Sequence, residues 1–198
     1  MNIIFDLGGV VFAWHPDTVL ESVFPEPEIR ARAAEALMRH PDWVELDRGT
    51  LDREEAVCRA SDRSGIPREK IRECLHRATR SLVPMDSTLE LIRLLEAKGH
   101  RLYVLSNMHH DSADFLESAF PVWKPFRGIV FSCREHLVKP EEAIYRLLLE
   151  RYGLAPGETL FIDDTPVNLK TAEKLGIRTH RFRNARDCRR ELEERGIL

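Results

Sequence analysis

Residues 2–10 read Asn2-Ile3-Ile4-Phe5-Asp6-Leu7-Gly8-Gly9-Val10. An apolar run this short does not make a helix of normal length, and it leads directly into an acidic residue and a glycine pair. The pattern fits a strand buried on both faces of a parallel sheet, with Asp6 at its carboxyl end and Gly8-Gly9 turning the chain. Runs of the same kind recur at 101–105, 128–131, 159–162 and 177–182, each rich in Ile, Val, Leu or Phe. Helical signals lie between them. Residues 86–98 place Ser87 and Glu90 at capping-box spacing, carry Leu89, Ile92, Leu94 and Leu95, and stop at Gly99. Pro140 and Pro166 stand where first helical turns should begin, and Gly153 and Gly176 close those helices. Strand and helix therefore alternate, which predicts an α/β fold with a doubly wound parallel sheet and right-handed crossovers.

About seventy residues separate the first strand from the helix that leads into the second, too many for a structureless loop. Helical segments at 16–24, 27–40, 51–61 and 67–80 fill this stretch. The expected organisation is an α/β core from residues 1–13 and 85–198 with an α-helical insertion over 14–84. The charged stretch 187–195 predicts a solvated amphipathic helix that closes the fold.

Composition narrows the function classes. The chain has 198 residues, 43% hydrophobic and 32% charged, which are globular proportions. With 30 Lys and Arg against 33 Asp and Glu, the net charge is -3, so no overall positive field exists to hold nucleic acid. The arginines near the carboxyl end, Arg178, Arg181, Arg183 and Arg186, are balanced by Glu191, Glu193 and Glu194 and read as a solvated face. Cys58, Cys74, Cys133 and Cys188 form no Cys-x-x-Cys pair, which speaks against a zinc cluster or a secreted disulfide framework and for a reducing cytoplasm. No signal peptide or membrane span is expected.

Ligands of open parallel sheets bind beyond the carboxyl ends of the strands. There the sequence places Asp6, Gly8 and Gly9, then Ser106 and Asn107, then Lys139, then Asp163 and Asp164. Each has an ordinary explanation as a turn residue, helix cap or surface charge. Their convergence on one sheet edge suits phosphoryl transfer. Asp6 and Asp164 offer hard oxygen ligands for Mg²⁺, and Asp6 can attack phosphorus to give an aspartyl phosphate. Ser106, Asn107 and Lys139 would hold the equatorial oxygens, while the Gly8-Gly9 turn lets backbone N–H groups approach the phosphate.

These residues carry a resemblance. FDLGGV with Asp6, LSN with Ser106, VKP with Lys139 and FIDDTPVN with Asp163 and Asp164 follow the motif order of the haloacid dehalogenase (HAD) superfamily of hydrolases. The pattern is most similar to the subgroup that holds bacterial glucose-1-phosphate phosphatases and the amino-terminal phosphatase domain of soluble epoxide hydrolases. The resemblance implies a Rossmann-like core, a helical cap formed by the insertion, and a small phosphorylated metabolite as substrate, with sugar phosphates favoured. It makes Asp6 nucleophile and metal ligand, the Gly8 carbonyl and Asp164 further ligands, and Asp163 and Asn168 supporting groups. One departure matters. Most phosphatases of this family carry Asp, the general acid and base, where this chain has Gly8, a loss of roughly 10² to 10⁴ in rate.

A leaving group that needs little protonation, or a substitute among His15, His109 and His110, would answer that loss. Otherwise the chain binds a phosphate ligand with weak turnover. Carbon-halogen hydrolysis ranks lower, because Asp163 and Asp164 would repel a departing halide. A phosphomutase ranks lower too, because it leans harder on the missing acid and base. Of the insertion, Trp14, His40, Trp43, Asp47 and Arg48 could face a substrate, although aromatic residues on short helices more often pack a core.

Overall fold

The computed structural model describes residues 1–198. β1 (Asn2–Phe5) is buried at every position and pairs in parallel with β4 (Arg101–Ser106) on one side and β6 (Thr159–Asp163) on the other. β5 (Phe126–Phe131) adds to β4 and β7 (Arg178–Arg181) to β6, also in parallel, giving the order β5-β4-β1-β6-β7. All five expected strands are present, and the fold is the anticipated doubly wound, Rossmann-like α/β sheet.

Alternation along β1 builds the layers, because successive side chains leave a strand on opposite faces. Ile3 and Phe5 enter an apolar cluster with α6 (Asp86–Ala97), α7 (His110–Ala119) and α11 (Ala185–Glu194). Ile4 enters another with α9 (Glu142–Tyr152) and α10 (Pro166–Lys174). Each fully buried Ile or Phe contributes roughly 1.5–3 kcal/mol, so this four-residue strand anchors both layers.

The insertion leaves and rejoins the sheet through a two-stranded antiparallel ribbon, β2 (Phe12–Ala13) with β3 (Val83–Pro84), which the sequence reading missed. Between them lie α1 (Pro16–Val23), α2 (Pro27–Ala33) with a π turn at Ala34–Met38, α3 (Pro41–Arg48), α4 (Arg53–Ser64) and α5 (Arg68–Arg80). They enclose an apolar cluster of their own, centred on Leu37, Val57, Ile71 and Leu75.

Three local expectations are corrected. Ser87 and Glu90 form no capping box: Met85 N donates to Val11 O at 2.9 Å, which holds Met85 extended as the cap residue and places Ser87 inside α6. Pro140 does not open α9, which starts at Glu142, because Glu141 is held in an extended conformation (φ -65°, ψ 131°) as the cap residue. α3 and α7 lie outside the predicted helical segments. α3 begins at Pro41 with the His40 imidazole accepting from Asp42 N at 3.1 Å, an unusual cap that hid its start.

Candidate active site

β1 lies where the strand order reverses, between β4 and β6, so their carboxyl ends bound a crevice. Asp6 continues the pairing of β1 by one residue, its N–H donating to Ile162 O at 2.9 Å. Its Oδ1 accepts from Leu7 N at 2.7 Å. Ser106 ends β4 and Asp163 ends β6. The segment after α8 (Ser132–Glu135) brings in Lys139.

Lys139 links the cluster. Its Nζ lies 2.9 Å from Asp6 Oδ1 and 2.7 Å from Asp163 Oδ2, with the lysine only 3% exposed. Burial works against the ammonium, but Asp6 and Asp163 outweigh it and hold the Lys139 pKa above its ordinary value. Burial pushes the Asp6 carboxyl up to about 7, Lys139 opposes that rise, and Asp163 reinforces it. Asp163 also accepts from Thr165 N at 2.7 Å and from Asn168 Nδ2 at 3.2 and 3.1 Å. With its oxygens so engaged, Asp163 orients Lys139, and Asn168 orients Asp163.

The Asn107 amide is turned to Lys139 as well: Nδ2 donates to Lys139 O at 2.9 Å and Oδ1 accepts from Lys139 N at 2.8 Å. The Ser106 hydroxyl, by contrast, is buried without a hydrogen-bond partner. Such a group costs roughly 1–3 kcal/mol until a ligand satisfies it.

Gly9 has φ +75°, and a Cβ there would stand 2.6 Å from Asp164 Oδ2, so the turn brings this carboxylate over the glycine. Asp164 also accepts from Thr165 Oγ1 at 3.2 Å. Burial raises its pKa, and repulsion from Asp163 adds to that. Asp6, Asp163 and Asp164 each present an oxygen within 4.8 Å of the others. Three carboxylates thus face one ammonium, Lys139, and the Gly8 carbonyl accepts no backbone hydrogen bond. The donor set is all oxygen and short of positive charge, which fits a divalent cation such as Mg²⁺ among Asp6, Asp163 and Asp164.

The cluster forms the floor of a cavity of about 360 Å³, whose wall includes Trp14, Trp43 and Asp47 from the insertion side. The two indoles stack at 6.2 Å between centroids, and Trp43 meets the His109 ring edge-on at 6.0 Å. Packing and cavity lining are therefore combined in these tryptophans. His40 and Arg48 do not line the cavity: His40 caps α3, and Arg48 pairs with Glu141 through two hydrogen bonds of 2.9 and 2.7 Å. Of the three histidines considered as substitutes for the group missing at Gly8, His15 and His110 lie outside the cavity wall. His109 lines it, but burial lowers its pKa to about 4, leaving it without an acidic proton near neutrality. The sequence reading gave Ser132 no role. Its Oγ accepts from Met108 N at 2.8 Å and donates to Asp47 O at 2.5 Å, a partner 85 positions away that no local pattern announces.

A haloacid dehalogenase-like hydrolase family model matches residues 1–176. The sesquiterpene phosphatase astK of Aspergillus oryzae is 25% identical over 174 residues, covering 88% of this chain and 85% of that protein. The D-ribitol-5-phosphate phosphatase of Bacteroides thetaiotaomicron is 26% identical over 204 residues, covering 96% of each. Other relatives are much longer proteins, of which this chain spans between 18% and 35%. Among solved structures, a wild-type HAD family enzyme from Bacteroides thetaiotaomicron in complex with magnesium and inorganic phosphate superimposes with TM-score 0.72 at 25% identity. That match covers 92% of this chain and 93% of that one.

Proposed function

The chain belongs to the haloacid dehalogenase-like hydrolases, and from that premise we propose that it is a Mg²⁺-dependent phosphatase of a small phosphomonoester, with sugar and polyol phosphates favoured. The observation that carries this reading is Asp6 paired with Lys139 on the floor of a cavity into which the unpartnered Ser106 hydroxyl opens. Asp6 attacks phosphorus, the ester bond breaks, and an aspartyl phosphate forms that water then hydrolyses. Lys139 and the Ser106 hydroxyl hold the phosphoryl oxygens as negative charge develops on them. Asn107, Asp163 and Asn168 keep Lys139 in place. Mg²⁺ bound by Asp6, Asp164 and the Gly8 carbonyl would neutralise phosphate charge and orient the group. The insertion over 14–84, as a cap, would close over the organic part of the substrate and exclude water.

The volume of the cavity suits a small ester, and the activity named for the Bacteroides thetaiotaomicron relative, on D-ribitol 5-phosphate, supports a polyol or sugar phosphate. No helix is long and apolar enough to cross a membrane, and all four cysteines are free, which supports the cytoplasmic setting that is part of this reading. A panel of phosphate esters with and without Mg²⁺, run on wild type and on Asp6→Asn, tests it. Hydrolysis that needs both Asp6 and Mg²⁺ is expected, and equal rates for the two proteins would refute it. Gly8 favours a second reading, a protein that binds phosphate ligands with weak turnover. Thermal stabilisation by a phosphate ester without product release would favour that reading.

A further inference from the structure

Gly8 leaves this family member without the carboxyl group that handles the leaving-group proton, yet another carboxyl group reaches the same cavity. Asp47, on α3 of the insertion, lines the wall that also holds Asp6, Ser106 and Lys139. Its position is fixed from the sheet side. Ser132 Oγ, which accepts from Met108 N at 2.8 Å, donates to Asp47 O at 2.5 Å, and the adjacent Arg48 is forked onto Glu141. Trp43 and His109, whose rings meet edge-on at 6.0 Å, line the cavity beside it. Resting on the phosphatase reading, we propose that Asp47 is the general acid and base of the reaction, supplied by the insertion in place of the residue absent at Gly8.

As Asp6 bonds to phosphorus, the ester P–O bond breaks with its electron pair passing to the leaving oxygen. The Asp47 carboxyl group gives that oxygen its proton, and the product leaves as an alcohol. The Asp47 carboxylate then takes a proton from water as the water oxygen attacks phosphorus, releasing inorganic phosphate and returning Asp6 to a carboxylate. Asp47 suits both duties because burial pushes its pKa up to about 7, while the His109 N–H, Lys139 and the Trp43 N–H oppose that rise and Asp6 adds to it. His109 is neutral there, and the nearby Cys133 thiol is pushed up to about 11 by burial.

Leaving-group dependence provides the test, with p-nitrophenyl phosphate, whose phenolate departs without help, set against the best primary-alcohol phosphate of the ester panel. Asp47→Asn, isosteric with the native residue, is expected to lower kcat/KM for the alkyl ester, which reports the steps up to departure of the alcohol, by roughly 10² to 10⁴ and to change kcat/KM for p-nitrophenyl phosphate less than tenfold. The retained aryl ester activity also reports a folded site. Asp47→Glu is expected to recover part of the alkyl ester rate. If Asp47→Asn lowers kcat/KM for both esters equally, or for neither, while wild type remains active and Asp6→Asn is dead, the assignment of Asp47 is overturned and the phosphatase reading stands. If wild type turns over neither ester, both fall.

Discussion

Asn107 and Lys139 exchange two hydrogen bonds between one side chain and one backbone, Asn107 Nδ2 to Lys139 O at 2.9 Å and Lys139 N to Asn107 Oδ1 at 2.8 Å. An amide at the end of one strand thus sets where the buried ammonium of a distant loop stands. Asn107→Ala is expected to lower kcat roughly tenfold to a hundredfold, since small misplacements of a charge-stabilising group are expensive. It should also cost about 1–3 kcal/mol of stability through the unpaired Lys139 backbone groups. Steady-state kinetics and urea unfolding of the one variant measure both, and an unchanged kcat would show that Lys139 needs no such support.

Ser106 separates function from stability in the opposite way. Its hydroxyl is buried with no partner, so Ser106→Ala removes an unsatisfied group and should leave the midpoint of thermal unfolding unchanged or raised. Phosphate affinity should fall by roughly 10- to 100-fold, the worth of one hydrogen bond to a charged ligand. Calorimetric titration with inorganic phosphate in the presence of Mg²⁺ reads this directly. A marked loss of stability would show that the hydroxyl has a structural partner in solution.

Gly9 and Asp164 form one unit, because a Cβ on Gly9 would stand 2.6 Å from Asp164 Oδ2 at a backbone φ of +75°. Gly9→Ala should cost about 1–2 kcal/mol from the left-handed backbone alone and push the carboxylate out of place. Mg²⁺ at a hundred times its dissociation constant should stabilise wild type by about 2.7 kcal/mol. That shift is expected to shrink in Gly9→Ala and to vanish in Asp164→Ala, followed by thermal melts with Mg²⁺ or with chelator. Persistence of the full shift in Asp164→Ala would remove this carboxylate from the ligand set.

His109 gives the protein an acid-sensitive element. Burial lowers its folded-state pKa to about 4, below the ordinary 6.5, so the unfolded chain binds the extra proton across that window. Stability from this residue is therefore complete above about pH 6.5 and is lost as pH falls toward 4, amounting to about 2 kcal/mol by pH 5. His109→Gln, whose amide can still meet the Ser112 hydroxyl that lies 3.0 Å from the imidazole, should lack that component. Urea unfolding at pH 7 and pH 5 is expected to show wild type losing about 2 kcal/mol more than the variant. Equal losses would mean that the imidazole titrates normally in the folded state.

The central strands of the sheet were legible because they are buried on both faces, and such strands must be written as unbroken apolar runs. Residues 2–5 and 159–162 could be read for that reason, and with them the strand-end positions of Asp6, Ser106 and Asp163. The motifs then limited the chemistry, since carboxylates and a lysine at one sheet edge have few uses other than phosphate and metal. Local signals failed where distant chain decided the outcome. Ser87 and Glu90 had the spacing of a cap, but the pairing of Met85 with Val11 set the helix start elsewhere. Pro140 had the look of a first turn, but the extended Glu141 delays the helix to Glu142.

By itself, then, the sequence determined the sheet, the order of its strands in the chain and the identity of the residues along its carboxyl edge, because periodicity and spacing are properties of neighbours. Only the tertiary structure decided what those residues do to one another. Whether Ser106 is left without a partner, whether His109 keeps its proton, and whether Asp47 reaches the cavity of Asp6 all depend on burial and on contacts between segments far apart in the chain. Burial sets the electrostatic cost of each charge, and no linear pattern encodes it.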